Sequence, residues 1–180
     1  MLRLGIDLGG TKIAAIVLED DGSTIWERRI PTPRNDYEGT LDAIANLVAD
    51  GERSCGQSCT VGIGMPGAIS QETGLVKNAN STWLNGRRFH QDLESRLRRD
   101  IRVANDANCL VQSETSDGGA APPAIVAFGV ILGTGTGGSV SQLGWGYLRG
   151  ENSIAGEWGH NPLPWPDDDE RPGPACYCGR

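Results

Sequence analysis

Hydrophobic residues alternate with polar or small ones at the start of the chain, which is the period of a β-strand. Leu2, Leu4 and Ile6 form the first such pattern. Tight glycine-containing turns each lead into a further strand-like segment, and prolines end the third of these segments. The chain is therefore expected to begin as a β-meander, with strands predicted over 2–6, 12–19 and 24–30.

Hydrophobic residues then recur at helical spacing. The segment 36–50 carries apolar residues every three or four positions, and Phe89, Leu93 and Leu97 mark a second helix whose other face is charged. The remaining elements follow from shorter patterns. They are a strand over 60–65, a short buried strand over 101–104, a polar loop over 71–86 and a third helix over 107–115.

The stretch 116–123, rich in glycine, alanine and proline, is the best linker candidate in the chain. After it the opening pattern returns, because residues 5–9 and 129–133 share Gly, Leu and Gly at the same spacing. In both, an apolar strand runs into a turn of glycine and threonine. The repeat indicates two related lobes. Their predicted bounds are 1–117 and 124–180, with the linker at 118–123.

Composition and charge exclude several classes of protein. Hydrophobic residues make up 38% of the 180 residues, which fits a globular α/β protein and not a disordered chain. The formal net charge is −7 and no basic stripe is present, so a nucleic-acid partner is not expected. The longest apolar run, 124–132, is too short to span a bilayer, and no signal peptide is visible. Five unevenly spaced cysteines fit a reducing compartment, so we expect a cytoplasmic protein without a membrane partner.

Two glycine-rich turns are candidate phosphate sites. In the first, Asp7-Leu8-Gly9-Gly10-Thr11-Lys12, the glycines let backbone N–H groups approach phosphate oxygens closely. It is neither a Walker loop nor a Rossmann fingerprint, and a plain hairpin explains it equally well. The second, 133–138, has four glycines in six residues, which are costly to order unless the backbone contacts a ligand. Two such turns suggest a phosphate chain held in a cleft between the lobes.

Two further segments have a functional and a simpler interpretation. Asn105-Asp106-Ala107-Asn108 follows a strand, where a carboxylate faces the crevice of an α/β sheet. Asn and Asp are also favoured helix caps, and the residues alone favour the cap. His160, Cys176 and Cys178 supply three of the four ligands that a structural zinc requires. Because a fourth ligand is missing from the chain, two reduced thiols and a loop histidine are the simpler interpretation.

Taken together, these segments resemble the ROK family (repressors, open reading frames, kinases) of sugar kinases from residue 3 to the last residue. Each motif is short, but their order along the chain is specific. Two motifs, K-N-A-N-S-T-W-L-N-G (77–86) and G-E-W-G-H-N-P-L-P (156–164), resemble the bacterial fructokinase branch. The motifs are G-I-D-L-G-G-T-K (5–12), G-M-P-G (64–67), K-N-A-N-S-T-W-L-N-G (77–86), N-D-A-N (105–108), G-T-G-T-G (133–137) and A-G-E-W-G-H-N-P (155–162).

The resemblance implies an α/β fold of the actin-like (ribonuclease H-like) ATPase type, with a complete first lobe and a truncated second lobe. It implies phosphorylation of fructose by ATP to fructose 6-phosphate, with Asp106 as the general base. N-acetylglucosamine, glucose and mannose are the alternative sugars. Asp7 would orient Mg²⁺. The phosphates would lie against Gly9, Gly10, Thr11, Lys12, Gly133, Thr134 and Gly135.

The resemblance also implies a sugar site and a zinc site. His160 would bind zinc together with Cys176 and Cys178, and the ion would stiffen the loop that carries Glu157. The oligomeric state stays open, a homodimer being one arrangement. The residues implied to hold the sugar are Gly67, Ala68, Asn80, Asn105, Asp106, Glu157 and His160.

The chain also departs from the family pattern. It stops before a further cysteine and before the adenosine-binding loop, Ser139 replaces a usual glycine, and 144–146 contains a small insertion. We therefore expect little kinase activity from these 180 residues alone. A non-catalytic sugar-binding fragment is a serious alternative. A transcriptional regulator is not favoured, because only four residues precede Gly5.

Overall fold

The computed structural model describes residues 1–116, 125–133 and 135–176. The first 116 residues contain the strands β1 (Arg3–Leu8), β2 (Lys12–Leu18), β3 (Thr24–Pro31), β4 (Thr60–Met65), β5 (Ala68–Ile69), β6 (Val76–Lys77) and β7 (Arg102–Asn105). Five of them form one sheet in the order β3-β2-β1-β4-β7. The β1–β2 and β2–β3 pairs are antiparallel, whereas β1, β4 and β7 run parallel. The β-meander predicted for the start of the chain is therefore confirmed.

The helices are α1 (Tyr37–Cys55), α2 (Phe89–Leu97) and α3 (Asp106–Ser116). Helix α1 begins where Asp36 accepts a hydrogen bond from the Gly39 N–H (2.8 Å). It ends at Gly56, whose φ of 70° is a left-handed conformation that glycine adopts without strain. The helix is longer than the predicted 36–50, because Gly51, a residue that usually weakens a helix, is buried against the sheet.

The hydrophobic core lies between one face of the five-stranded sheet and the helices α1 and α2. Alternate residues of the central strands are buried there, together with Ile44 of α1 and Phe89 of α2, whose exposed fraction is 0%. Each large apolar side chain buried in this way contributes about 1.5–3 kcal/mol. The opposite face of the sheet has small residues such as Gly5 and Gly62 and borders a cleft.

A second sheet follows in the order β10-β9-β8, with strands β8 (Val126–Leu132), β9 (Thr136–Gln142) and β10 (Gly146–Tyr147). Strands β8 and β9 form a hairpin across glycines 133 and 135, as β1 and β2 do across glycines 9 and 10, so the predicted repeat is present in the structure. Helix α3 contacts β4 and β7 as well as β8 and β9, and it therefore joins the two sheets. The side chains of β8 that point away from α3 are exposed: Val126, Phe128, Val130 and Leu132.

Two predictions for the first 116 residues are wrong in part. The segment 71–86 is not all loop, because it contains β6 and a 3₁₀ turn at Thr82–Leu84, anchored by the buried Val76 and Leu84. Strand β7 was expected to be buried, but its residues are only partly covered and Arg102 is exposed.

The linker predicted at 118–123 lies outside the described residues. The division into lobes at 1–117 and 124–180 consequently stays a prediction. Among the helices of the described residues, none has both the length and the apolar composition needed to cross a membrane.

Replacing Gly51 by valine is expected to destabilise the fold. A side chain at this position would begin 2.8 Å from Leu4 Cδ1 and 3.1 Å from Val17 Cγ2, so these buried side chains or α1 itself would have to move. Overpacking of this kind costs about 1–3 kcal/mol, which urea unfolding followed by circular dichroism measures. Ala49→Val, at an exposed position of the same helix, is the control and should cost less than about 1 kcal/mol. Equal shifts in the two variants would contradict the close approach of α1 to the sheet.

Candidate active site

Asp7 lies in the middle of a row of small residues that crosses the five-stranded sheet. The strand register places it between Ala14 of β2 and Gly64 of β4, with Arg29 and Ala104 at the two ends of the row. The row is on the face opposite the core. Because its immediate neighbours are small, the Asp7 carboxylate is open to the cleft.

The turn between β1 and β2 is held from two sides. The Gly9 N–H donates to the Lys12 carbonyl (2.9 Å), and the Thr32 hydroxyl donates to the Gly9 carbonyl (2.8 Å). The Thr32 N–H also donates to the Thr11 carbonyl (3.0 Å). Gly9 and Gly10 line the cleft, whereas the Thr11 and Lys12 side chains are exposed and are not among the lining residues. The turn is thus the β-hairpin that the simpler interpretation of the sequence predicted, and its two glycines also face the cleft.

Asn80 lies between the two glycine turns. A methyl group on Gly10 would be 3.9 Å from Asn80 Oδ1, and one on Gly135 would be 4.0 Å from Asn80 Nδ2. The second turn is closed by a hydrogen bond from the Gly133 N–H to the Gly135 carbonyl (2.9 Å). Thr134, predicted to contact the phosphates, lies outside the described residues. The glycines of the two turns therefore approach each other across the cleft on either side of Asn80.

The segment that carries Asn80 is shaped by Asn85. The Asn85 side chain accepts a hydrogen bond from the Ala79 N–H (2.9 Å) and donates one to the Ala79 carbonyl (3.0 Å). Such bonds between a side chain and the backbone take the place of a regular ladder. They fix the backbone immediately before Asn80, which explains how a polar, irregular segment presents a defined side chain to the cleft.

Asp106 is the first residue of α3 and follows directly on β7. Its Oδ1 accepts hydrogen bonds from the Ala107 N–H and from the Asn105 Nδ2, both at 2.9 Å. Asn105 itself caps the helix, because its Oδ1 accepts from the Asn108 N–H (3.2 Å), and its Nδ2 also donates to the Gly67 carbonyl (2.9 Å). The cap interpretation is therefore correct for Asn105. Asp106 Oδ2 has no hydrogen-bond partner among the described residues and remains available in the cleft.

Two carboxylates of the cleft, Asp7 and Asp106, have raised pKa values. Burial raises the pKa of Asp106, the charges of Asp7 and Glu157 raise it further, and the Ala107 N–H opposes these effects. Burial also raises the pKa of Asp7, while the Arg29 guanidinium lowers it. Acidic groups that repel one another across a partly desolvated cleft favour the uptake of a cation or a proton.

The loop that carries Glu157 is seated on β9. The Trp158 indole N–H donates to the Gly137 carbonyl (3.1 Å). A methyl group on Gly138 would lie only 2.7 Å from Trp158 Cδ1, and one on Gly137 would lie 3.4 Å from Glu157 Oε2. Gly137 and Gly138 of the second glycine-rich turn thus leave space for this loop. The sequence pattern alone did not indicate that role.

The cleft has a volume of about 2340 Å³. Ala68, predicted near the sugar, is buried with 4% of its surface exposed and does not line the cleft. Glu157 and His160 are exposed at its edge. The predicted site residues that do line the cleft are Asp7, Gly9, Gly10, Gly67, Asn80, Asn105, Asp106, Gly133, Gly135, Glu157, His160 and Cys176.

Two of the three predicted zinc ligands are neighbours. Cys176 Sγ lies 3.8 Å from His160 Nε2. Zn–S and Zn–N bonds of about 2.3 and 2.0 Å at a tetrahedral angle would place these atoms roughly 3.5 Å apart, so the pair fits two ligands of one ion after a small movement. Cys178 lies outside the described residues. Within the described part of the chain, no group of three or more such ligands is present.

Sequence reasoning missed two residues of the cleft. Arg29 lies on the same sheet face as Asp7 and makes no hydrogen bond or ion pair within the described residues. Cys109 lies one helical turn after Asp106, with its Sγ 3.4 Å from where a methyl group on Gly64 would lie, and burial raises the pKa of its thiol. The i, i+3 spacing from Asp106 indicates Cys109, whereas Arg29 requires the strand register.

Replacing Asp106 by asparagine is expected to stabilise the fold at neutral pH. Asparagine keeps the Oδ1 acceptor for Ala107 and Asn105 but brings no charge into the cleft. Since the folded-state pKa of Asp106 is raised, the ionised carboxylate opposes folding at pH values above that pKa. The effect disappears below the unfolded-state pKa of about 3.9, where both states are protonated. Urea titrations should therefore give a gain in unfolding free energy at pH 7 that shrinks as the pH is lowered toward 4. A gain independent of pH would contradict the raised pKa.

Replacing Arg29 by glutamine is expected to raise the pKa of Asp7 further, because the positive charge of Arg29, which lowers that pKa, is lost. NMR titration of the Asp7 carboxyl carbon measures the shift. Arg28→Gln removes the same charge one residue away, where the guanidinium pairs with Asp50 of α1, and should leave the pKa of Asp7 unchanged. Shifts of equal size in the two variants would contradict the assignment of Arg29 to the cleft.

Known proteins share this architecture. A model of the ROK family matches residues 3–180. The chain is 43% identical over 160 residues to an N-acetyl-D-glucosamine kinase of Escherichia coli O127:H6 (strain E2348/69 / EPEC), a match that covers 89% of this chain and 52% of that relative. The chain thus spans about half the length of the curated relatives it matches.

Two solved structures are similar along most of the chain. A ROK family glucokinase from Streptomyces griseus, in complex with glucose and AMPPNP, has a TM-score of 0.77 and 30% identity, over 91% of this chain and 51% of its own. A ROK hexokinase from Thermus thermophilus has a TM-score of 0.76 and 34% identity, over 99% of this chain and 57% of its own.

These similarities confirm the prediction of an α/β fold of the actin-like ATPase type, of which the chain covers about half. They agree with the strand order of the first sheet, with the repeated hairpin and with the family match over nearly every residue. The chain belongs to the ROK family.

Proposed function

We propose that the protein formed by this chain phosphorylates a hexose with ATP, and that Asp106 is the general base. The observation that carries the proposal is the state of the Asp106 carboxylate. One oxygen is engaged in two hydrogen bonds, and the other is open to a cleft that the two glycine turns also line. A base needs such a fixed orientation with one free oxygen atom.

The reaction follows from this arrangement. Asp106 Oδ2 accepts the proton of a sugar hydroxyl while that oxygen attacks the γ-phosphorus of ATP, and ADP leaves with the electrons of the broken P–O bond. General-base assistance of this kind contributes about 10²–10⁴-fold. The raised pKa of Asp106 helps, because a stronger base takes the proton more readily as long as it is ionised at the working pH.

The two glycine turns are the proposed phosphate site. Their backbone N–H groups, with Thr11, Lys12 and Thr134, would neutralise the phosphate oxygens. Mg²⁺ would supply charge neutralisation during phosphoryl transfer. Asp7 fits that ion through water, because its small neighbours leave room around the carboxylate.

The sugar would lie between Asp106 and the loop that carries Glu157. Asn80 and His160 offer hydrogen-bond donors and acceptors, and Gly67 contributes its backbone. Asn105 can still accept a hydrogen bond at Oδ1, but it offers no donor, because both hydrogens of its Nδ2 are already donated within the protein. Fixed polar groups of this kind discriminate strongly against sugars that lack the matching hydroxyl. Zinc at His160, Cys176 and Cys178 would hold the loop still and take no part in the chemistry.

N-acetylglucosamine is the first sugar to test. The motifs of the chain predict fructose, but none of the relatives described above is named a fructokinase. The relative at 43% identity is named an N-acetylglucosamine kinase, and the solved neighbours are named a glucokinase and a hexokinase. Fructose therefore becomes a comparison substrate, with glucose and mannose.

A coupled assay of ADP release tests the proposal. It is run on the 180-residue chain and on the product of any in-frame continuation of its gene, with N-acetylglucosamine, glucose, mannose and fructose as substrates. We expect the highest kcat/KM with N-acetylglucosamine. Asp106→Asn should lower kcat by about 10²–10⁴-fold with little change in the KM of the sugar, since it removes the base but keeps the helix cap.

Asp100→Asn is the matched control, because Asp100 is exposed and does not line the cleft. Its kcat should equal that of the unaltered protein. An Asp106→Asn variant with full turnover would refute the role of the base. Sugar binding in calorimetry without turnover on any hexose would refute the kinase and favour a sugar-binding protein.

A further inference from the structure

Strand β9 presents two buried serines to helix α3. Ser139 and Ser141 are two residues apart, and their exposed fractions are 0% and 2%. The Ser139 hydroxyl donates to Asn108 Oδ1 (2.5 Å), while the Ser141 hydroxyl lies 3.3 Å from the Thr115 hydroxyl. Helix α3 is therefore hydrogen-bonded to strand β9 near both ends of the helix, each time by a serine hydroxyl of the strand.

Hydrogen bonds link Ser139 to Asp106 through two residues, Asn108 and Asn105. Asn108 is 6% exposed, and its N–H donates to Asn105 Oδ1 (3.2 Å). Asn105 Nδ2 in turn donates to Asp106 Oδ1 and to the Gly67 carbonyl, each at 2.9 Å. The carboxylate is thereby tied to β9 through Asn108 and to the end of β4 through Asn105.

The Ser141 contact has no such connection. Its partner Thr115 lies more than two helical turns from Asp106 and already donates to the Val111 carbonyl (2.7 Å) within the helix. Loss of the Ser141 hydroxyl removes a similar bond between the same two elements without disturbing the first turn of α3. The two serines thus form a matched pair, one linked to the site and one remote from it.

A hydroxyl at position 139 matters because Asn108 is buried. Without this hydroxyl, the side-chain oxygen of Asn108, Oδ1, loses its hydrogen-bond donor. A buried acceptor left without a donor lowers the stability of the fold. The side chain or the first turn of α3 would shift to find another donor. Strand β9 also begins at the second glycine turn, so such a shift would change the position of Asp106 relative to that turn.

We infer that Ser139, acting through Asn108, is a positioning residue that holds Asp106 at a fixed place relative to the glycine turn 133–135. The inference rests on the proposed function, because it concerns the reaction at Asp106. Misplacement of a reacting group by about 1 Å costs on the order of 10²-fold in rate, so a small shift of the helix start has a measurable effect.

The test compares Ser139→Ala with Ser141→Ala. In the sugar kinase assay, Ser139→Ala should lower kcat by about tenfold or more with the KM of the sugar little changed, while Ser141→Ala should change kcat by less than about twofold. Ser139→Cys keeps the shape of the side chain, with a slightly larger atom and a weaker donor, and should fall between serine and alanine. It also provides the comparison if the alanine variant does not fold. Equal losses of kcat in Ser139→Ala and Ser141→Ala would overturn the inference.

A readout that needs no turnover separates this inference from the proposed function. The backbone amide proton of Asn108 should exchange with solvent about tenfold faster in Ser139→Ala and at an unchanged rate in Ser141→Ala, since only the first variant releases the start of α3. Unchanged exchange in Ser139→Ala would overturn the inference. Absence of turnover with every hexose, together with the expected exchange rates, would instead refute the proposed function and leave the positioning contact supported.

A double-mutant cycle of Asn108→Ala and Ser139→Ala tests whether the two residues act together. If the two residues act as one contact, the double variant should lose no more kcat than Asn108→Ala alone. Additive losses would mean that the serine acts by another route and would overturn the inference.

Discussion

Helix α3 packs between the two sheets, and the position of Asp106 relative to both glycine turns depends on this contact. On one side Cys109 approaches Gly64 of β4, and on the other Val111 approaches Gly129 of β8. A methyl group on Gly129 would lie only 3.1 Å from Val111 Cβ, so a larger residue there would push the helix away. Because Asp106 is the first residue of α3, its position is set by both sheets at once. Phosphoryl transfer depends on such fixed relative positions of base and phosphate.

Strand β9 has a comparable role on the other side of the cleft. Its serines face α3, and its glycines receive the loop that carries Glu157. One strand therefore relates the proposed base, the second glycine turn and the loop that carries Glu157 to one another. This double use explains a glycine-rich segment that phosphate binding alone would not require. Gly138 is needed to seat Trp158, whatever the backbone of the turn contacts.

The cleft concentrates acidic groups at a cost to stability. Burial and mutual repulsion raise the pKa of Asp106, so its ionised form is disfavoured in the folded protein. The same raised pKa makes it a better proton acceptor at neutral pH. The pKa of Asp7 is raised as well, but the positive charge of Arg29, on the far side of Ala14, lowers it in part. Function and stability therefore make opposite demands on these carboxylates.

The amino-acid sequence determined the elements that rest on local periodicity and the motifs that belong to the family. Strand β4 and helix α2 lie where the alternation and the helical spacing placed them, because each pattern involves neighbours along the chain. The candidate acid was also visible, since it follows a strand and opens a helix. The tertiary structure decided the rest: the passage of α1 through Gly51, the order within 71–86, the place of Arg29 beside Asp7 and the contact of Ser139 with Asn108. These depend on residues distant along the chain, and no local pattern records which distant groups will be brought into contact.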